Sequence, residues 1–293
     1  MTARAPRALV VGDVMVDVIV RLEGPIAPGS DRRAKIAARP GGSAANQAVW
    51  LAHFGAAVDF VARVGAADLE RETALLRRAG VAPHLAGDPA HETGRLIALV
   101  DPSGERSFLT DRGANEALEA TDVDDALITG AEIVHLSGYS FFAPGCRAAA
   151  LEVMRRAAGK PLGVDPASAE FLREIGPDNF FAWTRGATML FPNRDEAAAL
   201  TGTDDPEAQG ARLAALYPLV VIKRGAGGCE AFQGERRWRI AAPAAKTLDT
   251  TGAGDAFVAG FLAARLQGQP IEASLACAVA AGAAATEIVG GRP

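Results

Sequence analysis

Short apolar runs alternate along the chain with stretches whose apolar residues recur at helical spacing. The first run, 8–11 with Gly12 behind it, is continuously apolar, which is typical of a strand buried on both faces of a parallel sheet. Amphipathic helical patterns follow over 68–79, closed by Gly80, and over 145–158. This repeated order of strand and helix predicts an α/β protein.

Two segments depart from this order and predict a second, smaller sheet. Residues 93–112 have the pattern of two strands joined by the tight turn Asp101–Gly104, which indicates a β-hairpin. Residues 14–40 contain two more strand-like stretches. We expect these two segments, about 14–40 and 93–112, to form a lid that stands over a site within a single domain, 1–293.

Composition and charge narrow the possible functions. The 293 residues are 49% hydrophobic, which is enough for a large buried core. The net charge of −5 is mild and no run of lysines and arginines forms a stripe, which disfavours nucleic acid and an anionic membrane as partners. The cysteines are widely spaced without a Cys-x-x-Cys pair, so we expect buried apolar residues rather than a disulfide framework or a zinc site. They are Cys146, Cys229 and Cys277.

The apolar region near the N-terminus does not have the pattern of a signal segment. Gly12, Asp13 and Asp17 interrupt it, and no small-residue cleavage pattern follows. Elsewhere no uninterrupted apolar stretch has the length needed to span a membrane. We therefore expect a cytoplasmic protein.

The most informative polar stretch is 249–257, Asp-Thr-Thr-Gly-Ala-Gly-Asp-Ala-Phe. Apolar residues at helical spacing follow it, and Gly268 stands where a left-handed C-terminal residue belongs, so Gly252 to Asp255 opens a helix. The unpaired N–H groups and the positive dipole at a helix start suit an anion such as a phosphoryl group. An acid in a first turn also stabilises a helix by itself, so the role of Asp255 depends on what other motifs accompany it.

Three other motifs place polar groups next to a turn. Gly41-Gly42 opens a helix with Asn46 in its first turn, where the amide can donate and accept hydrogen bonds. Asn193 followed three residues later by Glu196 matches a capping box. The loop 223–228, Lys-Arg-Gly-Ala-Gly-Gly, follows an apolar strand and suits a phosphate chain. The chain lacks the glycine fingerprints of dinucleotide oxidoreductases and of P-loop enzymes, which disfavours both classes.

In this order, the four motifs resemble those of the ribokinase-like carbohydrate kinases, also called the PfkB family. The resemblance covers essentially the whole chain, and 249–257 is its most specific part. It implies a three-layer α/β/α core with a small β-sheet lid. It also implies ATP-dependent phosphorylation of a hydroxymethyl group on a small sugar, with ATP and Mg²⁺ as cofactors.

The resemblance further implies a role for each motif residue. Asp255 is the general base for the substrate hydroxyl, and the N–H groups of Gly252, Ala253 and Gly254 form the anion hole for the transferring phosphoryl group. Sugar hydroxyls are bound by Asp13, Asp17, Gly42 and Asn46. The nucleotide is bound by Asn193, Lys223, Gly225, Gly228 and Gly254, with 277–281 bordering the adenine. Glu196 holds Mg²⁺ through water. Asp249 and Thr251 resemble the ligands of an activating K⁺.

Departures from the family pattern leave the substrate open. Ser43 stands where ribokinases proper have a lysine, and Lys223 replaces a threonine common in ribokinases. A nucleoside kinase would use an aromatic wall formed by Tyr139, Phe141 and Phe142. A 2-keto-3-deoxy-sugar acid kinase would meet the carboxylate with Arg95, Arg106 or Arg112. The alternative outside enzymes is a catalytically inactive regulator that binds sugar or nucleotide. Lid sheets in this family often pair, so a homodimer through the lid is a further expectation.

Overall fold

The computed structural model describes residues 6–26 and 28–293, which form thirteen strands and ten α-helices. The strands are β1 (Arg7–Val11), β2 (Met15–Leu22), β3 (Ala34–Gly41), β4 (Ala57–Gly65), β5 (Ala82–Asp88), β6 (Gly94–Val100), β7 (Arg106–Asp111), β8 (Ile133–Ser137), β9 (Leu162–Asp165), β10 (Met189–Leu190), β11 (Leu219–Lys223), β12 (Cys229–Gln233) and β13 (Arg236–Ile240). The helices are α1 (Ser43–His53), α2 (Leu69–Arg78), α3 (Asp125–Gly130), α4 (Pro144–Arg156), α5 (Ala169–Ile175), α6 (Pro177–Trp183), α7 (Arg194–Thr201), α8 (Pro206–Ala214), α9 (Ala253–Leu266) and α10 (Ile271–Ala285).

Nine strands form the central sheet, in the order β13-β12-β11-β10-β9-β8-β1-β4-β5. The strands from β11 to β5 are parallel to their neighbours, and β12 and β13 are added as antiparallel strands at one end. The carboxyl ends of parallel strands lie along one edge of a sheet, where α/β proteins usually bind their ligands. At this edge the residues that end or follow β1, β9 and β11 are brought together.

Side chains of the parallel strands alternate between two helical layers. In β1, Ala8 and Val10 are buried on the side of α1, α2, α9 and α10, whereas Leu9 and Val11 are buried on the side of α3 to α8. Because both faces of the strand are covered, every position in it must be apolar, which explains its continuous apolar sequence. The predicted three-layer α/β/α core is confirmed.

Four strands form the second sheet, in the order β3-β2-β6-β7. β2 is parallel to β6, and β6 and β7 form the expected hairpin. One face of this small sheet carries Asp17, Ile19, Leu96 and Phe108, which line a crevice together with Gly290. The small sheet predicted from the sequence is therefore present, and its movement as a lid stays a prediction.

The opposite face of the small sheet points away from that crevice, because successive side chains of a strand alternate between faces. On this outer face Ala38, Val18, Ile97 and Leu109 lie in register across the four strands. Leu109 is 58% exposed, and Ile36 in the neighbouring row is 68% exposed. A contiguous apolar face of this kind is typical of a surface that contacts another molecule.

The prediction of buried cysteines is confirmed for Cys146 and Cys229 and is wrong for Cys277, which is exposed. Cys277 lies on α10, and its neighbour Ala278 packs into the core while the adjoining side of the helix faces outward. A period of 3.6 residues puts adjacent positions on different sides of a surface helix, so a small apolar side chain does not by itself indicate burial. Within the described residues, no helix combines the length and the apolar character needed to cross a bilayer.

Candidate active site

The helix α9 begins at the glycine turn that we predicted from the sequence to bind an anion. Gly252 has a left-handed φ of 76°, and a Cβ atom there would lie 2.5 Å from the Cα atom of Gly291, so glycine is required. The N–H of Ala253 donates to the carbonyl of Thr250 at 3.3 Å, and Asp255 follows in the first turn of the helix. The predicted position of Asp255 at a helix start is confirmed.

Three side chains of α1 donate hydrogen bonds to the Asp255 carboxylate. Ser43 Oγ lies 2.6 Å and Gln47 Nε2 lies 3.3 Å from Oδ1, and Asn46 Nδ2 lies 3.0 Å from Oδ2. Positions three and four residues apart share one face of a helix, which explains why all three reach the same carboxylate. Ser43 and Gln47 were not among the predicted site residues, although this spacing behind a glycine pair is a signal that the sequence carries.

Asp255 has a carboxyl group that titrates near neutrality. Burial raises its pKa to about 7, and Asp165 acts in the same direction, whereas the hydrogen bonds from Ser43 and Asn46 and the charge of Lys223 oppose the rise. A general base works best when its pKa lies close to the working pH. The environment of Asp255 therefore suits proton transfer from a hydroxyl group.

The carboxyl ends of β9 and β11 place an ion pair beside Asp255. Lys223 Nζ lies 2.8 Å from Asp165 Oδ2, and both side chains are nearly buried. Burial alone would lower the pKa of Lys223, but the carboxylates of Asp165 and Glu196 raise it above its ordinary value, so the lysine stays charged. Asp165 was predicted only as the end of its strand, and an acid at this edge of a parallel sheet is the signal that would have marked it.

A cavity of about 630 Å³ lies between the loop after β11 and the helices α9 and α10. Its volume is in the range of small-molecule sites. Its wall includes four of the predicted nucleotide residues, Lys223, Gly225, Gly228 and Gly254. From the stretch 277–281 that was expected to border the adenine, Val279 lines the cavity, and the α10 wall continues through Gly282, Ala283 and Thr286.

Asn193 and Glu196 form the predicted capping box at the start of α7. The Asn193 side chain accepts from the N–H groups of Asp195 and Glu196, each at 2.9 Å, and the Asn193 N–H donates to Glu196 Oε2 at 2.8 Å. Burial raises the pKa of Glu196 to about 7, against the opposing charge of Lys223. Because the backbone of Asn193 also bridges to that of Lys223, the capping box lies next to the ion pair.

Asp13 caps α1 from outside the helix. Its carboxylate accepts from the N–H groups of Ser43 and Ala44, each at 3.1 Å, while Gly42 at the cap position has a φ of 92° and no side chain to do so. The guanidinium of Arg112 lies 3.3 Å from the same carboxylate. These contacts give Asp13 a structural role, and its contact with sugar hydroxyls stays a prediction.

Asp17 and Asn46, two more of the predicted sugar residues, lie near Arg292. Arg292 Nε donates to Asn46 Oδ1 at 2.9 Å, and Arg292 Nη2 donates to the carbonyl of Gly41 at 2.7 Å. Burial raises the pKa of Asp17 to about 6, and the charge of Arg292 opposes the rise. Arg292 was not predicted as a site residue, because no motif surrounds it and its place depends on tertiary packing.

Asp249 holds the turn that precedes α9. Its Oδ1 accepts from the N–H of Thr251 at 3.0 Å and from the hydroxyl of the same residue at 2.8 Å, and its Oδ2 accepts from the N–H of Gly290 at 3.2 Å. These bonds join the glycine turn to the segment that carries Arg292. Binding of K⁺ by Asp249 and Thr251 stays a prediction.

A smaller cavity of about 160 Å³ adjoins Asp13 and has a partly aromatic wall. Tyr139 and Phe142 line it, as a nucleoside site would require. Phe141 does not belong to this wall, because it is fully buried in the core, where its ring meets Phe180 edge to face.

One of the three arginines considered for an acidic substrate lies in this smaller cavity. The guanidinium of Arg112 is 4.1 Å from the centre of the Tyr139 ring, a cation–π distance. Arg95 instead forms an exposed pair with Glu92 at 2.8 Å on the small sheet. The side chain of Arg106 lies outside the described part of the structure.

The fold and this edge of the sheet together define a class of protein. A carboxyl group whose pKa is near neutrality lies at a helix start, next to a charged lysine and a cavity large enough for a nucleotide. A phosphotransferase that acts on an alcohol group needs these features. The chain belongs to the pfkB family of carbohydrate kinases, which matches residues 5–293. The family and the kinase class predicted from the motifs are confirmed.

Relatives in this family are named for different acceptors. The chain is 33% identical over 286 residues to an ATP-dependent ribose-1-phosphate kinase from Halopiger xanaduensis, which covers 94% of this chain and 90% of that protein. It is 32% identical over 236 residues to probable fructokinase-7 from Arabidopsis thaliana, with 76% and 69% covered. The crystal structure of adenosine kinase from Sinorhizobium meliloti superposes with a TM-score of 0.89 at 26% identity and covers 99% of this chain and 96% of that one.

Proposed function

We propose that the protein transfers the γ-phosphoryl group of ATP to a hydroxymethyl group of a small sugar, with Asp255 as the general base. The hydrogen bond from Ser43 to Asp255 carries this proposal, because the carboxylate already accepts from a hydroxyl group at 2.6 Å. A substrate hydroxyl bound in the same place would meet the base at a distance suited to proton transfer.

In the proposed reaction the substrate oxygen attacks the γ-phosphorus and its proton moves to Asp255. The bond between the γ-phosphorus and the bridging oxygen breaks, and ADP leaves. The N–H groups of Gly252, Ala253 and Gly254 face the negative charge on the phosphoryl oxygens. Ala253 would exchange its weak bond to Thr250, 3.3 Å long, for a phosphoryl oxygen.

Mg²⁺ fits the phosphate side of the site through water. No group of three or more His, Cys, Asp or Glu side chains in the described chain is arranged to enclose a metal ion, and Mg²⁺ usually keeps several waters and uses one or two carboxylates together with substrate phosphates. Glu196 is a buried carboxylate beside Lys223 and is the residue we assign to those waters. When bound, the ion neutralises charge on the phosphates, and Lys223 and the backbone of the loop 223–228 do so from the protein side.

The sugar is proposed to lie among Asp17, Gly42, Asn46 and Asp13. Asp17 belongs to the small sheet, whereas Asn46 belongs to α1 in the core. A sugar held by both would draw the small sheet toward the core and exclude water from the phosphoryl group, which is the function of a lid. We extend the proposal to K⁺ at Asp249 and Thr251; equal turnover in KCl and NaCl would remove that part.

The outer face of the small sheet is proposed to bind the same face of a second copy. Ala38, Val18, Ile97 and Leu109 form an uncharged row across all four strands, and a row of this kind is complementary to itself under two-fold symmetry. The pairing would remove the exposed side chains of Ile36 and Leu109 from water. This proposal makes the protein a homodimer.

The proposed function is tested by measuring ADP release from Mg·ATP with pentoses, hexoses, keto-acids and nucleosides as acceptors. We expect a pentose or hexose to give the largest kcat/KM. Asp255→Asn should lower kcat with that acceptor by about 100-fold to 10,000-fold, because proton transfer is lost, while calorimetry shows ATP binding within about threefold of wild type. Turnover of Asp255→Asn at the wild-type rate would exclude this mechanism. Binding of ATP and sugar without ADP release would favour the inactive regulator.

A further inference from the structure

Gln47 is a fully buried glutamine whose side-chain amide lies between two carboxylates. Its Nε2 is 3.3 Å from Asp255 Oδ1 and 3.3 Å from Asp165 Oδ2. An amide nitrogen carries two hydrogens, so one group can donate to both acids. Gln47 therefore stands where two like charges would otherwise face each other, and that repulsion is one of the causes that raise the pKa of Asp255.

His135 contacts the opposite end of this amide. His135 Nε2 lies 2.9 Å from Gln47 Oε1, and burial lowers the pKa of the imidazole to about 4, so the ring is neutral at physiological pH. A carbonyl oxygen only accepts, so the single N–H of the neutral ring is on Nε2. His135 Nδ1 is then an acceptor, and it has no hydrogen-bond partner among the described residues.

The reverse orientation of the amide is disfavoured by the two acids. Gln47 Oε1 would then face the carboxylate oxygens of Asp255 and Asp165, and neither acid would receive a hydrogen from the amide. The acids therefore fix the direction of the amide, and the Nε2–H tautomer of His135 anchors Oε1 at the opposite end.

We infer that Gln47, anchored by His135, is a positioning residue for Asp255 and links it to the ion pair at the nucleotide end of the site. Asp165 Oδ2 accepts from Gln47 and also from Lys223 Nζ, the latter at 2.8 Å. The chain of contacts runs from the base through Gln47 and Asp165 to a lysine in the wall of the nucleotide cavity. The inference rests on the proposal that Asp255 is the base.

The test uses Gln47→Met, His135→Leu and the double variant, assayed with Mg·ATP and the acceptor found in the ADP-release screen. Each single variant should lower kcat by about tenfold to 100-fold with both KM values within about threefold, since the base is displaced and the binding groups remain. If His135 acts only through Gln47, adding His135→Leu to Gln47→Met should change kcat by less than about twofold.

Gln209→Met is the matched control. Gln209 is also a fully buried helical glutamine, and its side chain binds Thr203 at 2.9 Å and Arg224 at 2.7 Å rather than Asp255. We expect it to lower the melting temperature about as much as Gln47→Met and to leave kcat within about twofold. A purely structural Gln47 would give the two variants the same kcat.

Two outcomes would overturn the inference. One is wild-type kcat in Gln47→Met, and the other is a double variant whose loss equals the product of the single losses. Asp255→Asn measured beside them separates the two proposals. A loss of turnover in Asp255→Asn with none in Gln47→Met refutes only the positioning role, whereas full turnover in Asp255→Asn refutes the proposed function itself.

Discussion

Ser43 donates its hydroxyl hydrogen to Asp255 across 2.6 Å, although the two residues are 212 positions apart in the chain. The donor begins α1 and the acceptor lies in the first turn of α9, so the contact joins two helix starts. A substrate hydroxyl that approaches Oδ1 of Asp255 would compete with Ser43. The serine therefore influences both the protonation of the base and the entry of the substrate.

The pH dependence of kcat/KM should report the carboxyl group of Asp255. Its pKa is raised to about 7, and the base accepts a proton only as a carboxylate, so activity is lost as the pH falls through that value. We expect kcat/KM to be constant above about pH 8 and to fall about tenfold per pH unit below about pH 6. A profile that stays flat down to about pH 5 would contradict the proposed role of Asp255.

Ser43→Ala should move the fall of kcat/KM at low pH, the acidic limb of the profile, to higher pH. The hydrogen bond from Ser43 stabilises the carboxylate and lowers its pKa, so its removal leaves Asp255 protonated over a wider range. The measurement is the same profile for both proteins, with Ser30→Ala, an exposed position, as the control. A limb that stays in place or moves to lower pH would show that Ser43 does not act on the base.

Lys223→Met should weaken both ATP binding and the fold. It leaves the buried Asp165 carboxylate unpaired, which costs about 3–5 kcal/mol of unfolding free energy. It also removes a positive charge from the cavity wall, so we expect the KM for ATP to rise by about tenfold or more. Urea denaturation and ATP titration of turnover measure the two effects.

The double variant Lys223→Met/Asp165→Leu separates the loss of stability from the loss of ATP binding. Replacing both charges by apolar groups should recover most of the unfolding free energy, whereas the KM for ATP should stay high. Lys160→Met, which changes a lysine that precedes β9 at the other edge of the sheet, serves as the control. Full recovery of ATP affinity in the double variant would show that Lys223 does not contact the phosphates.

Arg112→Met should distinguish the classes of acceptor. A neutral small sugar does not need the guanidinium, so we expect its KM to rise less than about fivefold, whereas a sugar acid would lose a charge-assisted hydrogen bond and about 10-fold to 100-fold in KM. Tyr139→Leu is measured in parallel, because a nucleoside base stacked in the same cavity depends on that ring. Arg95→Met is the control, since Arg95 lies exposed on the small sheet.

Leu109→Glu should convert a dimer into a monomer. The substitution puts a charge into the row of apolar side chains on the outer face of the small sheet, where pairing would bury it without a partner. Sedimentation velocity measures the change. Leu216→Glu is the control, because Leu216 is 56% exposed but lies outside this sheet. A wild-type chain that sediments as a monomer at micromolar concentration would refute the proposed dimer.

The features that the sequence predicts well are local. The capping box at Asn193 and Glu196 lies within four residues, and Gly268 has the expected left-handed φ, 77°. Three strands, β5, β12 and β13, were not predicted, because their sequences lack the continuous apolar run of a buried strand; in β12 the run is interrupted by Glu230. β5 contains Pro83 and lies at the edge of the sheet, and β13 carries three arginines that an edge strand can expose.

Contacts that join distant segments could not be read from the chain. Gln47 and Asp165 meet because β1, β8 and β9 are neighbours in the sheet, and that strand order is not encoded in any local pattern. Arg292 reaches Asn46 only after α9 has packed against α1 and α10 has packed against α9. The motifs therefore predicted which segments carry the site, whereas tertiary packing decided which polar side chains surround Asp255.

The position of Arg292 has a consequence for the order in which the protein matures. Arg292 follows every other site residue in the chain, and it lies beside Gly291, whose backbone fills the space at Gly252. During translation the small sheet, α1 and the loop 223–228 leave the ribosome first, as N-terminal parts of a chain do. The base on α9 and the α10 wall of the nucleotide cavity emerge after them, so a nascent chain would carry the small sheet and α1 before it has either a complete nucleotide cavity or a competent phosphotransfer centre.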